Sequence, residues 1–378
     1  MISGLFIYVY ILLGLFVLVF DTTEWTVKPY NRAFNFLFLL LAFLSAFSYG
    51  VGPDTGRYII EFNNFHDLPH LTKYDFSMTR DQPLYVLVNS LCKTIYDDFL
   101  TLQLLQVFLL YHSLYLVLRM LDLRKIWLLF LFFGSNYISV LSGRRECFGL
   151  ACCLYAMLFY INNRWIFYYI LVILGFLFHS GMFVFALFPL LKLLEKVTII
   201  NVVVVVVSIF LVQYLFEYIQ VFDDVVNDDD SILRYSFESD NQLKFSTGLY
   251  VFIQLLIFFW MVVKENGNFY DGYEKDFIYL SFFSVSLVFL SASLPIIYRY
   301  RVHFAVFSYF TIRECFKKSN KKLIVALLFV IFSYSPVATF IATMHDHPSV
   351  FNYCSVFSSD YDKAMQDFIL NNNYIIQQ

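Results

Sequence analysis

The chain has 378 residues, of which 60% are hydrophobic and only 15% charged, with a mean hydropathy of +0.67 and a formal net charge of −3. A soluble globular protein is about a quarter charged and about half apolar, and here the apolar excess runs through the whole length, which excludes a soluble domain with a single anchor. The small net charge excludes nothing, because in a membrane protein the distribution of charge between loops carries the information.

The composition therefore predicts an all-α polytopic membrane protein. Its 47 Phe suit lipid-facing and inter-helix packing, and its 29 Tyr suit a wet interface or a polar cavity. The first apolar run, residues 2–20, has no basic lead-in, and VFDTTEW has no small-residue cleavage site, so it reads as a first span and not as a secretory signal. A helix needs about 20 apolar residues to cross a hydrocarbon core of about 30 Å. In chain order the predicted spans are 3–20, 33–49, 99–118, 126–141, 146–161, 197–216, 247–263, 276–294, 300–316 and 323–343. The stretch 165–191 is interrupted by His179-Ser180-Gly181, and is either one long tilted helix or two short ones meeting at that polar break.

Charge chooses between them. With the N-terminus outside and 165–191 counted as two segments, 15 of the 26 Lys and Arg fall in inside loops, including the KKSNKK turn at 317–322. A single crossing would invert every later loop and put that turn outside, against the positive-inside rule. The broken pair is therefore expected: a helix over 165–178, about 21 Å long, and a shorter return from Gly181, with about 10–12 membrane helices in all. Loops 50–98 and 217–246 then lie outside, residues 1–343 form the membrane domain, and 344–378 form a polar tail on the outside. Irregular backbone at membrane depth survives only where it is buried in protein or lines a wet cavity.

The same count leaves Arg57, Arg144, Arg145, Arg299 and Arg301 outside, where the positive-inside rule does not supply them. Arg144 and Arg145, in LSGRRECFGL, open a predicted span, beside free N–H groups and the positive end of a helix dipole. The guanidinium fork matches phosphate oxygens. The alternatives are snorkelling to lipid headgroups or pairing with Glu146. His179, in FLFHSGMF, is an ionisable group inside a membrane segment, which is a candidate for function, or a neutral histidine bonded to a carbonyl freed by the break. In YGVGPDTGRY, residues 49–58, Gly and Pro impose a turn that carries Asp54, Arg57 and Tyr58. LPIIYRYRVHF places Arg299 and Arg301 on either side of Tyr300.

Other features carry less. Cys147, Cys152, Cys153, Cys92, Cys315 and Cys354 have no metal-ligand spacing and read as free thiols. Asp228-Asp229-Asp230 sits in no nucleotide-binding context, His345-Asp346-His347 lacks a third ligand, and His66 and His70 flank Pro69, which argues against one regular helix there. P-loop, Walker and Rossmann glycine patterns are all missing, which argues against ATP-driven transport. Nucleic acid is not an expected partner.

Taken in order, Gly52, Asp54 and Tyr58 in a G-x-D-x-x-x-Y-type loop, DQPLY at 81–85, RRECFGLA at 144–151, LFHSGM at 177–182 and YRYR at 298–301 resemble the EpsG-like branch of the Wzy-type polysaccharide polymerases. The likeness covers most of residues 49–316. It departs from the family pattern at Glu146, where glutamine is usual, and at Ser180, which follows His179 at once. The resemblance implies a multi-pass enzyme of the bacterial inner membrane that joins undecaprenyl-pyrophosphate-linked oligosaccharide repeat units at the periplasmic face, making O-antigen, capsule or exopolysaccharide. It implies no cofactor and no metal; external arginines would hold the pyrophosphate and neutralise charge on the leaving group.

On that reading Arg144, Arg145, Arg299, Arg301, Arg57, Tyr58 and Tyr300 bind pyrophosphate or glycan. His179 or Asp54, with Glu146 next, activates the acceptor hydroxyl. The expected partners are the lipid-linked donor and acceptor, the bilayer and a chain-length-regulating co-polymerase. The rival readings are a flippase for the same lipid, an O-antigen ligase, or a membrane acyltransferase. A flippase argues for an internal repeat, a ligase for a dominant long outer loop, and an acyltransferase for an Asp beside His179; none of these is seen in the sequence.

Overall fold

The computed structural model describes residues 2–3, 5–21, 23, 25–49, 55–77, 82–121, 125–193, 276–278, 280–281, 283–284, 307, 310, 313, 337, 341 and 352–355. The chain divides into two compact units, one made of residues 1–186 and 337–378, the other of 187–336.

Among its described residues the first unit is mostly helical, with a small three-stranded sheet. Strand β1 (Ile2–Ser3) precedes helix α1 (Leu5–Phe16), which continues as a π-helical turn over Val17–Asp21. Helix α2 (Val27–Ala46) buries Tyr30, Phe34, Leu37, Phe38, Leu41 and Ser45, an i, i+4, i+7 stripe along one face. Strand β2 is Ser48–Tyr49. The region expected as an outer loop is itself structured, with helices α3 (Thr55–Asn64), α4 (Lys73–Ser77) and α5 (Pro83–Ile95), and a 3₁₀ turn at Leu68–His70. Pro83 opens α5 at a position where its missing N–H costs nothing. Helices α6 (Phe99–Arg119), α7 (Lys125–Ser142), α8 (Arg144–Ile161) and α9 (Trp165–Phe178) follow.

Strand β3 (Asn352–Ser355) pairs antiparallel with both β1 and β2, in the order β1-β3-β2. Residues 352–355 thus lie at the end of the unit where α2 finishes.

Local chemistry sets the helix limits. Asp98 caps α6, its side chain accepting from Leu100 N–H at 2.8 Å. Helix α8 closes with Asn163 at φ 55°, Asn163 N–H to Tyr160 O and Arg164 N–H to Phe159 O, the two bonds of a Schellman turn with Asn in the left-handed position. Helix α9 stops at His179, which is extended at φ −155°, and a 3₁₀ run over Ser180–Leu193 follows. The break expected at His179 is present; the segment beyond it is 3₁₀ and not α-helical.

The start of α7 is capped by side chains distant in sequence. The Tyr30 hydroxyl donates to Asp21 Oδ1 at 2.6 Å and accepts from the N–H groups of Lys125 and Ile126, while Asp21 Oδ2 accepts from Trp127 N–H at 2.6 Å. Three of the four N–H groups that a helix start leaves without partners are satisfied here. The Lys125 ammonium donates to Asn31 Oδ1 and Leu121 O and lies over the Phe34 ring. Asp21 and Lys125 are both buried. Asp21→Ala is expected to cost about 2–3 kcal/mol, since it strips a charged acceptor from two buried donors; thermal unfolding of the purified variant measures it.

A second buried acid organises the α3–α4 connection. Asp75 accepts from His66 N–H, from Thr72 N–H at 2.8 Å and from the Thr72 hydroxyl at 2.7 Å, and lies 3.0 Å from His66 Nδ1. The bond from Thr72 N–H satisfies a donor at the start of α4, as the carboxylate half of a capping box does. Burial alone would push the Asp75 carboxyl up; the hydrogen bonds from His66 and Thr72 outweigh it and hold the group well below the usual carboxylate range. A depressed acid contributes stability that is complete above about pH 4 and is lost as pH falls below it. Asp75→Asn should therefore melt lower than the wild-type chain at pH 6, and the gap should narrow at pH 3.

Among the described residues one helix, α6, is long and apolar enough to cross a membrane by length and composition; Ile7–Asp21 and Trp165–Phe178 are apolar but shorter. Large apolar side chains are exposed in rows, Phe36, Leu39 and Phe43 on α2 and Ile166, Ile170 and Ile173 on α9. A soluble monomer rarely exposes contiguous apolar patches of this kind. The spans expected from residue 197 onward lie outside the described residues, apart from isolated helical positions. In the second unit the rings of Phe277, Phe307 and Phe310 stack on one another.

Candidate active site

The first turn of α8 aims three consecutive charged side chains at three different neighbours, because successive residues on a helix diverge by roughly 100°. Arg144 points inward and is 3% exposed. It donates to Gln106 Oε1, and to Gln103 Oε1 at 2.9 Å, with its guanidinium over the Phe99 ring. Gln103 is oriented in turn by donating to the carbonyls of Ala46, at 2.8 Å, and of Ser48. Arg144 thereby ties α8 to α6 and to the end of α2.

Arg145 turns toward α3 and α5. One guanidinium nitrogen donates to both carboxylate oxygens of Glu61 at 2.8 Å. The faces of Tyr58 and Tyr85 lie 5.6 and 5.1 Å from the guanidinium. Glu61 also accepts from Arg57 Nε at 2.9 Å, so one carboxylate is shared by a half-buried arginine and an exposed one. Burial, and then the Glu61 charge, pushes the Tyr85 phenol up, so that it stays protonated beside the ion pair.

Glu146 faces the break at the end of α9. His179 Nε2 lies 3.6 Å from Glu146 Oε1, and both side chains are about a quarter exposed, at 23% and 28%. Gly181 N–H donates to His179 Nδ1 at 3.2 Å. In the neutral ring, the tautomer assigned from that bond has Nδ1 accepting and Nε2 carrying the proton toward Glu146. At 3.6 Å the pair is longer than a direct hydrogen bond, a looseness common where catalytic groups tighten only around substrate.

The close approach of α8 and α9 fixes this pair. A Cβ on Gly149 would meet Met182 Cγ at 2.8 Å and the carbonyl of Gly175 at 3.1 Å, and one on Gly175 would meet the carbonyl of Gly149 at 3.1 Å. Phe148 stacks on Phe178 with ring centroids 5.0 Å apart. Below the arginines, Ile59, Phe62, Phe65, Tyr85, Phe99, Phe148 and Phe178 form one core, and Lys93 clamps the end of α3 by donating to the carbonyls of Phe62 and Asn63.

The structure thus brings Arg57, Tyr58, Arg144, Arg145, Glu146 and His179 to one end of the first unit. Asp54, Arg299, Tyr300 and Arg301 lie outside the described residues. Sequence reasoning missed Glu61, Tyr85, Gln103 and Gln106. Glu61 had a signal, since Arg57 and Glu61 are an i, i+4 pair, but residues 50–98 were read as a loop, where that spacing means nothing. Gln103 and Gln106 were visible as polar residues one turn apart inside an apolar span. Among the described residues no cluster of three or more His, Cys, Asp or Glu is placed to hold a metal, and Cys92, Cys147, Cys152 and Cys153 are free thiols.

Residues 31–355 match the family model of the EpsG family. The chain belongs to the EpsG family. No curated protein and no solved structure matches it. Membership supports polysaccharide biosynthesis by a polymerase-like glycosyltransferase and, with the apolar helix α6, a membrane protein.

Proposed function

We propose that this EpsG-family chain is a polysaccharide polymerase. It transfers a growing glycan from undecaprenyl pyrophosphate to the hydroxyl of another lipid-linked repeat unit, at the periplasmic face of a bacterial inner membrane. The carrying observation is the adjacency in α8: Arg145, held in a Tyr58–Tyr85–Glu61 cradle, is the immediate neighbour of Glu146, which faces His179. A cation for a pyrophosphate leaving group and an acid–base pair for an acceptor hydroxyl are what this reaction requires side by side.

In the reaction, the acceptor oxygen attacks the anomeric carbon of the donor sugar. The bond from that carbon to the pyrophosphate oxygen breaks, and its electron pair stays with the pyrophosphate. Arg145, with Arg57 at the rim, stabilises the charge that develops there. Because Nδ1 of His179 is occupied by Gly181 N–H, Glu146 is the group that takes the hydroxyl proton, and His179 Nε2–H holds the carboxylate and the incoming oxygen in line. Arg144 keeps α8 in register and does not touch substrate. Asp54, Arg299, Tyr300 and Arg301 complete the glycan and pyrophosphate site, and a co-polymerase sets chain length.

The chain crosses the membrane about 10–12 times with the N-terminus outside, and two groupings in the first unit support the assignment of sides. Asp21, Tyr30, Asn31 and Lys125, assigned to the inside, cluster together. Residues 2–3, 48–49 and 352–355, assigned to the outside, share one sheet. Residues 1–343 serve as the membrane domain, with 344–378 as a periplasmic tail.

Deletion of the gene tests the reading. The expected phenotype is surface material reduced from a ladder to single repeat units. Accumulation of repeat units on the inner leaflet would instead make the protein a flippase and end the polymerase reading.

A further inference from the structure

Between α2 and α6 lies a groove of about 890 Å³ whose walls are almost wholly apolar, among them Leu39, Ala42, Phe43, Leu104 and Phe108. From Asn35 to Ala46 it follows α2 for about 17 Å at the helical rise of 1.5 Å per residue. It is open along one side, for Leu39, Phe43 and Phe108 are each more than half exposed. The few polar side chains that line it already have partners: Tyr111 bonds Ser45 at 2.6 Å, His112 Nδ1 bonds the Tyr155 hydroxyl at 2.6 Å, and the Tyr115 hydroxyl donates to Asn35 Oδ1 at 3.2 Å. A ligand here would gain nothing from a polar group and much from apolar length.

One end of the groove settles which apolar ligand. Ala46 lines it, and the Ala46 carbonyl accepts from Gln103, whose own oxygen accepts from Arg144. Two hydrogen bonds therefore separate the groove from buried Arg144, whose neighbour in α8 is Arg145. A molecule with an anionic head at Arg145 and a long hydrocarbon chain would have a use for both surfaces.

We propose that the α2–α6 groove binds the polyprenyl chain of the lipid-linked substrate, so that the carrier is held along its tail as well as by its pyrophosphate. The inference rests on the polymerase reading for the identity of the lipid, not for the existence of the site. A groove that grips the tail positions the anomeric carbon before chemistry and accounts for an apolar cleft that ends beside the cations. Carriers with short chains would reach Arg145 but lose the groove.

The test uses the purified full-length chain and a sugar-free undecaprenyl pyrophosphate carrying a photoreactive diazirine midway along its chain. Labelling is expected on peptides containing Leu39, Phe43 and Phe108. It should be displaced at least tenfold more effectively by undecaprenyl pyrophosphate than by geranyl pyrophosphate or phosphatidylglycerol. Ala42→Trp, which fills the groove, should reduce labelling at least fivefold with an unchanged melting temperature; should that variant fail to fold, Leu39→Trp at the rim serves in its place.

Equal displacement by phosphatidylglycerol would make the groove an ordinary lipid-facing cleft, and equal displacement by geranyl pyrophosphate would mean that only the head is recognised. Either result, or labelling confined to other helices, overturns the proposal. Because the probe carries no sugar, these outcomes are independent of polymerisation. A normal ladder with labelling elsewhere would remove the groove and keep the polymerase, and groove labelling in a chain whose deletion strands repeat units inside would do the reverse.

Discussion

Arg145→Ala, expressed at the wild-type level in a deletion strain, should collapse the surface polysaccharide from a ladder to single repeat units, with the rate of polymerisation down at least about 100-fold. The magnitude follows from what the guanidinium does. Removing one preorganised group that stabilises developing charge costs about 10²–10³ in rate, and here the group is also flanked by two aromatic faces that hold it in place. Arg145→Lys should rescue little, because an ammonium is a point charge without the planar face that lies against Tyr58 and Tyr85 or the fork that matches phosphate oxygens.

The neighbouring arginine should behave differently. Arg144→Ala removes the charged donor that serves the buried oxygens of Gln103 and Gln106 and unties α8 from α6, so loss of folded protein is the expected result. A ladder that persists with Arg145→Ala would return that residue to a structural role and leave the proposed reaction without its cation.

Gly149→Ala is expected to reduce polymerisation by about 100-fold with only a small fall in thermal stability. Two effects oppose each other in the stability. Alanine gains up to about 1 kcal/mol over glycine in a helix, whereas overpacking a tight contact costs about 1–3 kcal/mol. The second prevails, because the added carbon meets the Gly175 carbonyl at 3.1 Å as well as the flexible Met182 side chain at 2.8 Å, and backbone does not yield as a methionine does. The functional effect is larger because α8 carries Glu146 and the end of α9 carries His179, 3.6 Å apart. A displacement of about 1 Å is enough to cost about 100-fold when groups must be aligned. Adding Met182→Ala should recover stability in part and activity less, since the Gly175 contact remains. Full activity in Gly149→Ala would show that the Glu146–His179 spacing does not matter to the reaction.

Much of this architecture was written in local patterns. The helical class, the limits of α6 and α8 to within two residues, and the stop at His179 all follow from apolar run length and from polar interruptions that a helix in lipid does not tolerate without reason. The family was legible for a related reason: short motifs such as RRECFGLA and LFHSGM preserve chemistry at fixed spacing, and spacing along a chain is a property of sequence.

What the sequence could not yield is who faces whom. Arg144 and Arg145 are identical in type and adjacent, yet one is locked among the glutamines of α6 and the other is cradled by Glu61, Tyr58 and Tyr85, and only the rotation of α8 within its neighbours separates the two roles. Glu61 gained its meaning only once residues 55–64 were a helix packed beside α8, 84 positions away in the chain. The tautomer of His179 depends on a backbone N–H two residues on, presented by a 3₁₀ turn. The capping of α7 depends on Asp21 and Tyr30, about a hundred residues earlier. Sequence by itself determined the kinds of element and the chemical groups on them, because periodicity and composition act locally; tertiary structure alone decided the pairings, because each is set by which helix faces meet at packing distance.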